Sequence, residues 1–233
     1  MLIERLTSKI KLLENSNQFI KKNVKYPLPK LFVEKFGDVA RIDIENPIEI
    51  GDNGTVYKAY PKFLMEKSIM NDEVIKGFYG TVGMIVNYSS NKLIVYSGAT
   101  ARACLNLSIF GADYVVEYSL LDSVESLNDI LAKATNNLSV HLNHIRQVKE
   151  KLESKQYSPI EFEHRKGEIL SKMDLSLLPY LKHAEEQFRS KDSLYFDMPN
   201  SDWKLLSAMT DLVKDKGVTA RISKTLKLEE LFV

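Results

Sequence analysis

Apolar residues recur every three or four positions between Val124 and Leu152, and this periodicity is the strongest constraint on the fold. The positions are Val124, Leu127, Leu131, Ala134, Leu138, His141, Ile145, Val148 and Leu152. This spacing is typical of a helix with one apolar face, and four heptads of it form a seam that other protein must cover. The pattern predicts one uninterrupted helix, about 45 Å long at a rise of about 1.5 Å per residue.

Two arrangements would cover this seam. Ser158, Pro159 and Glu161 predict the start of a second helix, because serine caps helices, proline suits the first helical position and Glu161 completes a capping box. Residues 159–190 would then fold back as an αα-hairpin and cover the seam within the chain. In the other arrangement a second copy covers it, and on this ground we expect a homo-oligomer.

The residues before the seam have the pattern of β-strands. In "GFYGTVGMIVNY" the alternating positions Phe78, Val82, Met84 and Val86 share one face, "LIVYSGATARACLNLSIF" runs back, and "YVVEYSL" follows a further turn. Upstream, "VARIDIE" and "TVYKAY" predict two more strands around the turn sequence "GDNG". The fold class is therefore predicted as α+β: an antiparallel β-meander followed by a long-helix αα-hairpin and further helices.

These patterns divide the chain into four regions. An N-terminal helix and a Pro-containing linker are predicted for residues 1–37, an antiparallel β region for 38–120, a helical region for 121–216 and a C-terminal tail for 217–233. Residues 38–216 are expected to form one domain. Within the helical region we expect a kink or restart at Pro179, and a helix capped by Ser201 and stopped by Gly217.

Composition narrows the class of protein. The chain has 233 residues, 44% of them hydrophobic and 27% charged, with a formal net charge of +1. These values are typical of a globular protein, and no apolar run is long enough to span a bilayer, so no membrane partner is expected. The N-terminus lacks the pattern of a secretory signal, and a single cysteine forms no internal disulfide. We therefore expect a location in the cytoplasm.

Residue types that carry chemistry are not arranged in a known catalytic pattern. The sequence has no phosphate-binding glycine loop, zinc motif or nucleophile elbow. Cys104 follows Arg102 in a predicted strand and is interpreted as structural. His141 and His144 are three apart, yet they lack further ligands at metal-binding spacing, so a packed histidine is expected at His141. We therefore predict a protein without enzymatic activity, cofactor or metal; a hydrolase with a carboxylate site at Asp43 is a weaker alternative.

A basic segment near the N-terminus carries the predicted binding site. Aromatic residues alternate there with lysines, and stacking surfaces combined with cations are what single-stranded nucleic acid requires. The predicted phosphate contacts and stacking residue are Lys21, Lys22, Lys25, Lys30 and Tyr26. The sequence thus favours a protein that binds single-stranded nucleic acid as an oligomer. The alternative is a protein-interaction module that presents the helical hairpin to a protein partner.

Residues 76–215 resemble a phage- and plasmid-borne family of domains of unknown function. The likeness is carried by "GATARACLNLSIF", with Arg102, Cys104 and Asn106, and by "SDWKLLSAMTDLV", in which Trp203 begins a helix. The chain departs from the family pattern in having Leu105 and Leu107 around the asparagine. The resemblance implies a phage or mobile-element origin and a β-sheet followed by long helices, without an established reaction. The order of sheet and long helix is also similar to single-strand annealing proteins. These resemblances imply an annealing or recombination factor in the cytoplasm of a host cell. The alternative that they imply is a virion component or an inhibitor of host defence, with a phage or host protein as partner.

Overall fold

A computed structural model of the chain describes residues 32, 34–35, 41–45, 49–50, 56–58, 62–70, 77–87, 92–101, 106–110, 115–119, 124–215 and 218–233. Strands occupy the first half of these residues and helices the second. The α+β class predicted from the sequence is therefore confirmed. The predicted N-terminal helix and the linker lie outside the described residues, apart from 32, 34 and 35.

Eight strands are defined in the described residues. They are β1 Arg41–Glu45, β2 Glu49–Ile50, β3 Val56–Lys58, β4 Lys62–Met70, β5 Phe78–Asn87, β6 Lys92–Ala101, β7 Leu107–Ser108 and β8 Val115–Ser119. The predicted strands that start at Phe78, Leu93 and Tyr114 correspond to β5, β6 and β8. Strand β4 was not predicted from the sequence; it pairs with both β1 and β5.

Six α-helices follow in the described residues. They are α1 Val124–Asn136, α2 Leu138–Ser154, α3 Pro159–Lys172, α4 Leu178–Arg189, α5 Asp202–Asp211 and α6 Val218–Glu229. Short 3₁₀ turns at Leu175–Leu177 and Leu212–Asp215 precede α4 and follow α5. Helix α6 replaces the C-terminal tail that the sequence predicted, and it buries Ile222, Thr225 and Leu228.

The chain divides into two compact units. One comprises residues 1–71, 80–97 and 113–138, and we call it the sheet unit. The other comprises residues 72–79, 98–112 and 139–233, and we call it the helical unit. Strands β5 and β6 contribute residues to both.

In the sheet unit the strand order is β1-β4-β5-β6, and β8 also pairs with β6. Asp43 of β1 lies opposite Leu64 of β4, and Val95 of β6 lies opposite Val116 of β8, both in antiparallel register. Strands β2 and β3 form a separate antiparallel pair around the "GDNG" sequence. All residues of β5 from Gly80 to Val86 are buried, so this strand is covered on both faces.

In the helical unit local sequence signals set the helix boundaries. Ser158 accepts a hydrogen bond from the Glu161 amide, and the Glu161 carboxylate accepts one from Ser158, which confirms the predicted capping box. Pro179 lies in the first turn of α4, so the helix restarts there as expected. Ser201 caps α5 by accepting from the Lys204 amide at 3.2 Å. The end of β6 pairs with β7 in this unit.

The apolar seam is divided between two helices. Helix α1 ends at Asn136 and α2 begins at Leu138, so the prediction of one uninterrupted helix was wrong. Asn136 and Asn137 lower helix propensity because asparagine side chains compete for nearby backbone groups. Six seam residues are buried within the single chain: Leu131, Leu138, His141, Ile145, Val148 and Leu152. The chain itself covers them, so the seam gives no further reason to expect a homo-oligomer, which stays a prediction.

Candidate ligand pocket at Asn106

The residues predicted to bind nucleic acid, Lys21, Lys22, Lys25, Tyr26 and Lys30, lie outside the described residues. Phe32, an aromatic residue of the same basic segment, is completely buried. Arg102 and Cys104 also lie outside the described residues, so the structure does not test the structural role assigned to the cysteine. Asp43 lies in β1, but the structure does not describe its side chain.

Asn106 is buried to 95% in the helical unit, and several groups fix its amide. Its Nδ2 donates to the Ser207 carbonyl at 2.9 Å, to Tyr195 Oη at 3.1 Å and to Thr210 Oγ1 at 3.4 Å. A backbone carbonyl can only accept, so the amino end of the amide must face Ser207. The Thr210 hydroxyl in turn donates to the same carbonyl at 3.1 Å, which leaves its oxygen free to accept from Asn106.

A second layer of polar groups supports Tyr195. Its hydroxyl donates to Asp211 Oδ1 at 3.5 Å, so it can accept from Asn106. Asp211 is itself paired: Lys214 Nζ lies 2.8 Å from Oδ1 and His183 Nε2 lies 3.2 Å from Oδ2. The hydrogen bonds therefore run in one direction, from the Asn106 amino group through Tyr195 to a carboxylate.

The carbonyl oxygen of the same amide, Oδ1, differs from the amino group in its hydrogen bonding. Among the residues that the structure describes, none donates to Asn106 Oδ1, although the atom is closed to solvent. An unsatisfied buried acceptor costs about 1–3 kcal/mol, so such atoms are uncommon and require an explanation.

A cavity of about 280 Å³ adjoins this amide. Its apolar lining comes from three parts of the chain. The start of β5 contributes Phe78, the segment between α4 and α5 contributes Tyr195 and Met198, and α5 contributes Trp203 and Leu206. Its polar lining consists of Asn106, Ser108, Ser207 and Thr210. The described lining residues therefore carry no charged side chain, and the cavity presents an apolar, largely aromatic surface with few hydrogen-bonding groups.

Trp203 connects the cavity to the backbone at Ile109 and Phe110. Its ring centroid lies 6.0 Å from that of Phe78 and 6.4 Å from that of Phe110. Phe110 has a positive φ of 46° and Ile109 is completely buried, so this backbone depends on its hydrogen bonds. These contacts fix the tryptophan that forms one wall of the cavity.

Two buried titratable side chains form hydrogen bonds with the backbone of the dipeptide Ile109–Phe110. Glu229 accepts from the Ile109 amide at 2.8 Å and from the Phe110 amide at 2.7 Å. Burial raises the pKa of Glu229 to about 8, against the two amide hydrogen bonds, which favour the ionised form. His141 Nε2 hydrogen-bonds the Ile109 carbonyl, and burial lowers the pKa of His141 to about 4. His141 is therefore a neutral packed histidine at physiological pH, as the sequence indicated.

A second cavity of about 640 Å³ lies near α3 and is lined by charged residues. Arg165 donates to Asp202 through Nε at 2.8 Å and through Nη2 at 2.9 Å, and to Glu168 through Nη1 at 2.8 Å. Because the guanidinium is already bound to two carboxylates, this cavity is a weaker candidate than the one at Asn106. No cluster of three or more metal-binding side chains occurs in the described part of the chain.

Sequence reasoning noted Asn106 beside Cys104 but did not assign it a role. Its partners Tyr195, Ser207 and Thr210 lie about 90–100 residues further along the chain, and no local pattern links them. The sequence signal nearest to the site is the Trp203 helix, which was noted as part of the family resemblance.

Comparison with protein-family models, with curated proteins and with solved structures found no match. The resemblance to a phage- and plasmid-borne family therefore stays a prediction based on the residues quoted above. In the helices that the structure describes, none combines the length and apolar character needed to cross a membrane.

Proposed function

We propose that the protein acts by binding and not by catalysis, and that the helical unit holds a small uncharged molecule in the Asn106 cavity. The observation that supports this is the cavity itself, with its volume of about 280 Å³ and an apolar lining from Phe78, Trp203 and Leu206. An apolar cavity of about 150 Å³ is already large enough to take benzene in other proteins. The volume thus suits a molecule of one or two rings.

The ligand is uncharged because the cavity gives a charge no compensation. Moving an ion out of water is costly unless an opposite charge or several hydrogen bonds meet it. The described lining residues supply neutral hydroxyl, amide and backbone groups only. The nearby Asp211 carboxylate is already bound by Lys214 and by His183.

Toluene is the probe that tests this proposal. Trp203 is the single tryptophan of the chain and lines the cavity, so fluorescence excited at 295 nm reports on this site alone. We expect a saturable change in fluorescence and a higher melting temperature, because a ligand that binds only the native state stabilises it.

Ser207→Leu is the variant that we expect to lose toluene binding. The larger side chain would fill cavity space while the Ser207 carbonyl that fixes Asn106 remains. The same substitution at exposed Ser171 of α3 is the control and should bind like the wild type. A linear, non-saturable response of the wild-type protein to toluene would contradict the proposal.

A second proposal is single-stranded nucleic acid binding by an oligomeric annealing or recombination factor of phage or mobile-element origin. The sequence observation that favours it is the segment with Lys21, Lys22, Lys25, Tyr26 and Lys30. Host cytoplasm, or a virion, is the location that belongs to this proposal. A stable hetero-complex with a phage or host protein, free of nucleic acid, would favour the alternative of a protein-interaction module.

A gel-shift titration over a range of salt concentrations tests the second proposal. For single strands the slope of log K against log salt is about −0.7 for each neutralised phosphate. Replacing Lys21, Lys22, Lys25 and Lys30 by alanine should weaken binding and flatten the slope by about 3. Replacing four exposed lysines of the helical unit, Lys172, Lys182, Lys191 and Lys227, is the control. Binding that is absent at low salt or indifferent to salt would contradict it.

A further inference from the structure

The orientation of the Asn106 amide determines which hydrogen-bonding group a ligand must bring. Because the Ser207 carbonyl at 2.9 Å accepts from Nδ2, the amide cannot be turned over without placing two oxygens against each other. The free position of the side chain is therefore Oδ1, which only accepts. Asn106 is itself part of the cavity lining, so a molecule in the cavity lies against its amide.

We infer that the ligand of this cavity is a flat aromatic molecule with an N–H or O–H group, and that this group donates to Asn106 Oδ1. The inference rests on the proposed function and narrows it to a ligand class. Phenols, anilines and indoles belong to this class, and aromatic hydrocarbons and ethers do not. The donor satisfies an acceptor that none of the described residues satisfies.

The walls of the cavity suit an aromatic ring. Phe78, Tyr195 and Trp203 present three rings to the same space, and Trp203 is held by its contacts with Phe78 and Phe110. Aromatic rings attract one another in tilted and offset arrangements, so a flat ligand gains contacts that an aliphatic one of equal volume lacks.

Access to Oδ1 requires a small movement, because the oxygen is closed to solvent. Leu194 and Tyr195 lie in the segment between α4 and α5, which is held by turn hydrogen bonds such as Phe196 N–H to Ser193 O at 3.2 Å. Leu194 lines the cavity and is 61% exposed. Leu194 is the most exposed of the described lining residues, so a ring and its donor would enter at this edge of the cavity.

The test compares phenol with toluene, which have nearly the same shape and differ in the hydroxyl group. Water hydrates phenol far better than toluene, so a purely apolar cavity prefers toluene. We expect the wild-type protein to bind phenol at least as tightly as toluene, measured through Trp203 fluorescence and calorimetry. In Asn106→Leu the ratio of the two affinities should shift at least about tenfold toward toluene, which corresponds to about 1.4 kcal/mol.

Asn143→Leu is the control variant. It makes the same substitution at an exposed position of α2 that does not line the cavity, so the preference for phenol should remain. Circular dichroism establishes whether Asn106→Leu folds, and the wild-type comparison decides the matter if it does not. Clearly tighter binding of toluene to the wild type would overturn the inference while leaving the proposed function intact. Binding of neither molecule would overturn both.

Discussion

At the residue scale, the dipeptide Ile109–Phe110 is held by two groups that respond to pH in opposite directions. The pKa of Glu229 is raised to about 8, so the folded state retains a proton that the unfolded state loses, and stability falls as pH rises from about 4.5 to 8. The pKa of His141 is lowered to about 4, so the unfolded state takes up a proton first and stability falls as pH drops from about 6.5 to 4. Uptake of a proton by His141 thus lowers the stability at low pH, and loss of a proton from Glu229 lowers it at high pH.

His141→Gln separates these two effects. Glutamine keeps a side-chain N–H for the Ile109 carbonyl and does not titrate. Between pH 7 and pH 5 the wild type should lose about 2 kcal/mol more of its unfolding free energy than the variant does. Urea denaturation at the two pH values measures this difference, and the contribution of Glu229 cancels because both proteins contain it. An equal loss in the two proteins would show that His141 is not buried as a neutral ring.

The same scale shows what sequence reasoning could predict of the site. The packed state of His141 followed from its place in an apolar seam, which is a local pattern. The role of Asn106 did not follow from its neighbours, because its three partners belong to α5 and to the segment before it. A single sequence carries no signal for a hydrogen-bond network that forms only after these parts of the chain have packed.

At the element scale, the packing of β5 beside β6 depends on a glycine that lies against an aromatic ring. A methyl group added at Gly83 of β5 would overlap the ring of Tyr96 in β6, and that ring is completely buried. The missing side chain thus provides the space that the tyrosine fills. This explains why a glycine occurs inside a strand that is otherwise rich in β-branched and apolar residues.

Gly83→Ala should therefore destabilise the protein by about 1–3 kcal/mol, the usual cost of overpacking a buried site. Gly167 is the matched control, because it lies in α3 with no atom within 4 Å of the added methyl group. Gly167→Ala should stabilise the protein by about 0.5–1 kcal/mol through helix propensity. Thermal and urea unfolding of both variants measure the effects, and destabilisation of equal size at the two sites would refute the explanation.

Helix and strand signals were reliable where a local device sets an element. The capping box at Ser158 and the proline in α4 appear in the structure as the sequence indicated. The alternation in β5 correctly predicted a strand, but the strand is buried on both faces and not on one. Strand β4, "KFLMEKSIM", was missed because its polar and apolar residues do not alternate strictly. The segment of α6 was assigned to a C-terminal tail, but it forms a helix in which Arg221 is 98% buried.

At the scale of the whole molecule, the fold class was predictable and the partition into units was not. Composition and periodicity separate a strand-rich half from a helix-rich half, which is sufficient for the α+β class. The two units instead alternate along the sequence, and the helical unit includes residues 72–79 and 98–112 from the strand-rich half. Such a division depends on contacts between distant segments, and a single sequence carries no signal for them.

Glu229 also sets an order of events during synthesis. The ribosome adds Glu229 119 residues after Phe110, and Glu229 accepts a hydrogen bond from the Phe110 amide. At translation rates of about 5–20 residues per second, the Glu229 side chain becomes available to the backbone at Ile109 and Phe110 roughly 6–24 s after that backbone is made. The wall of the cavity formed by Trp203 is thus completed late, and a ribosome that pauses before α6 would hold a nascent chain whose helical unit is not yet closed.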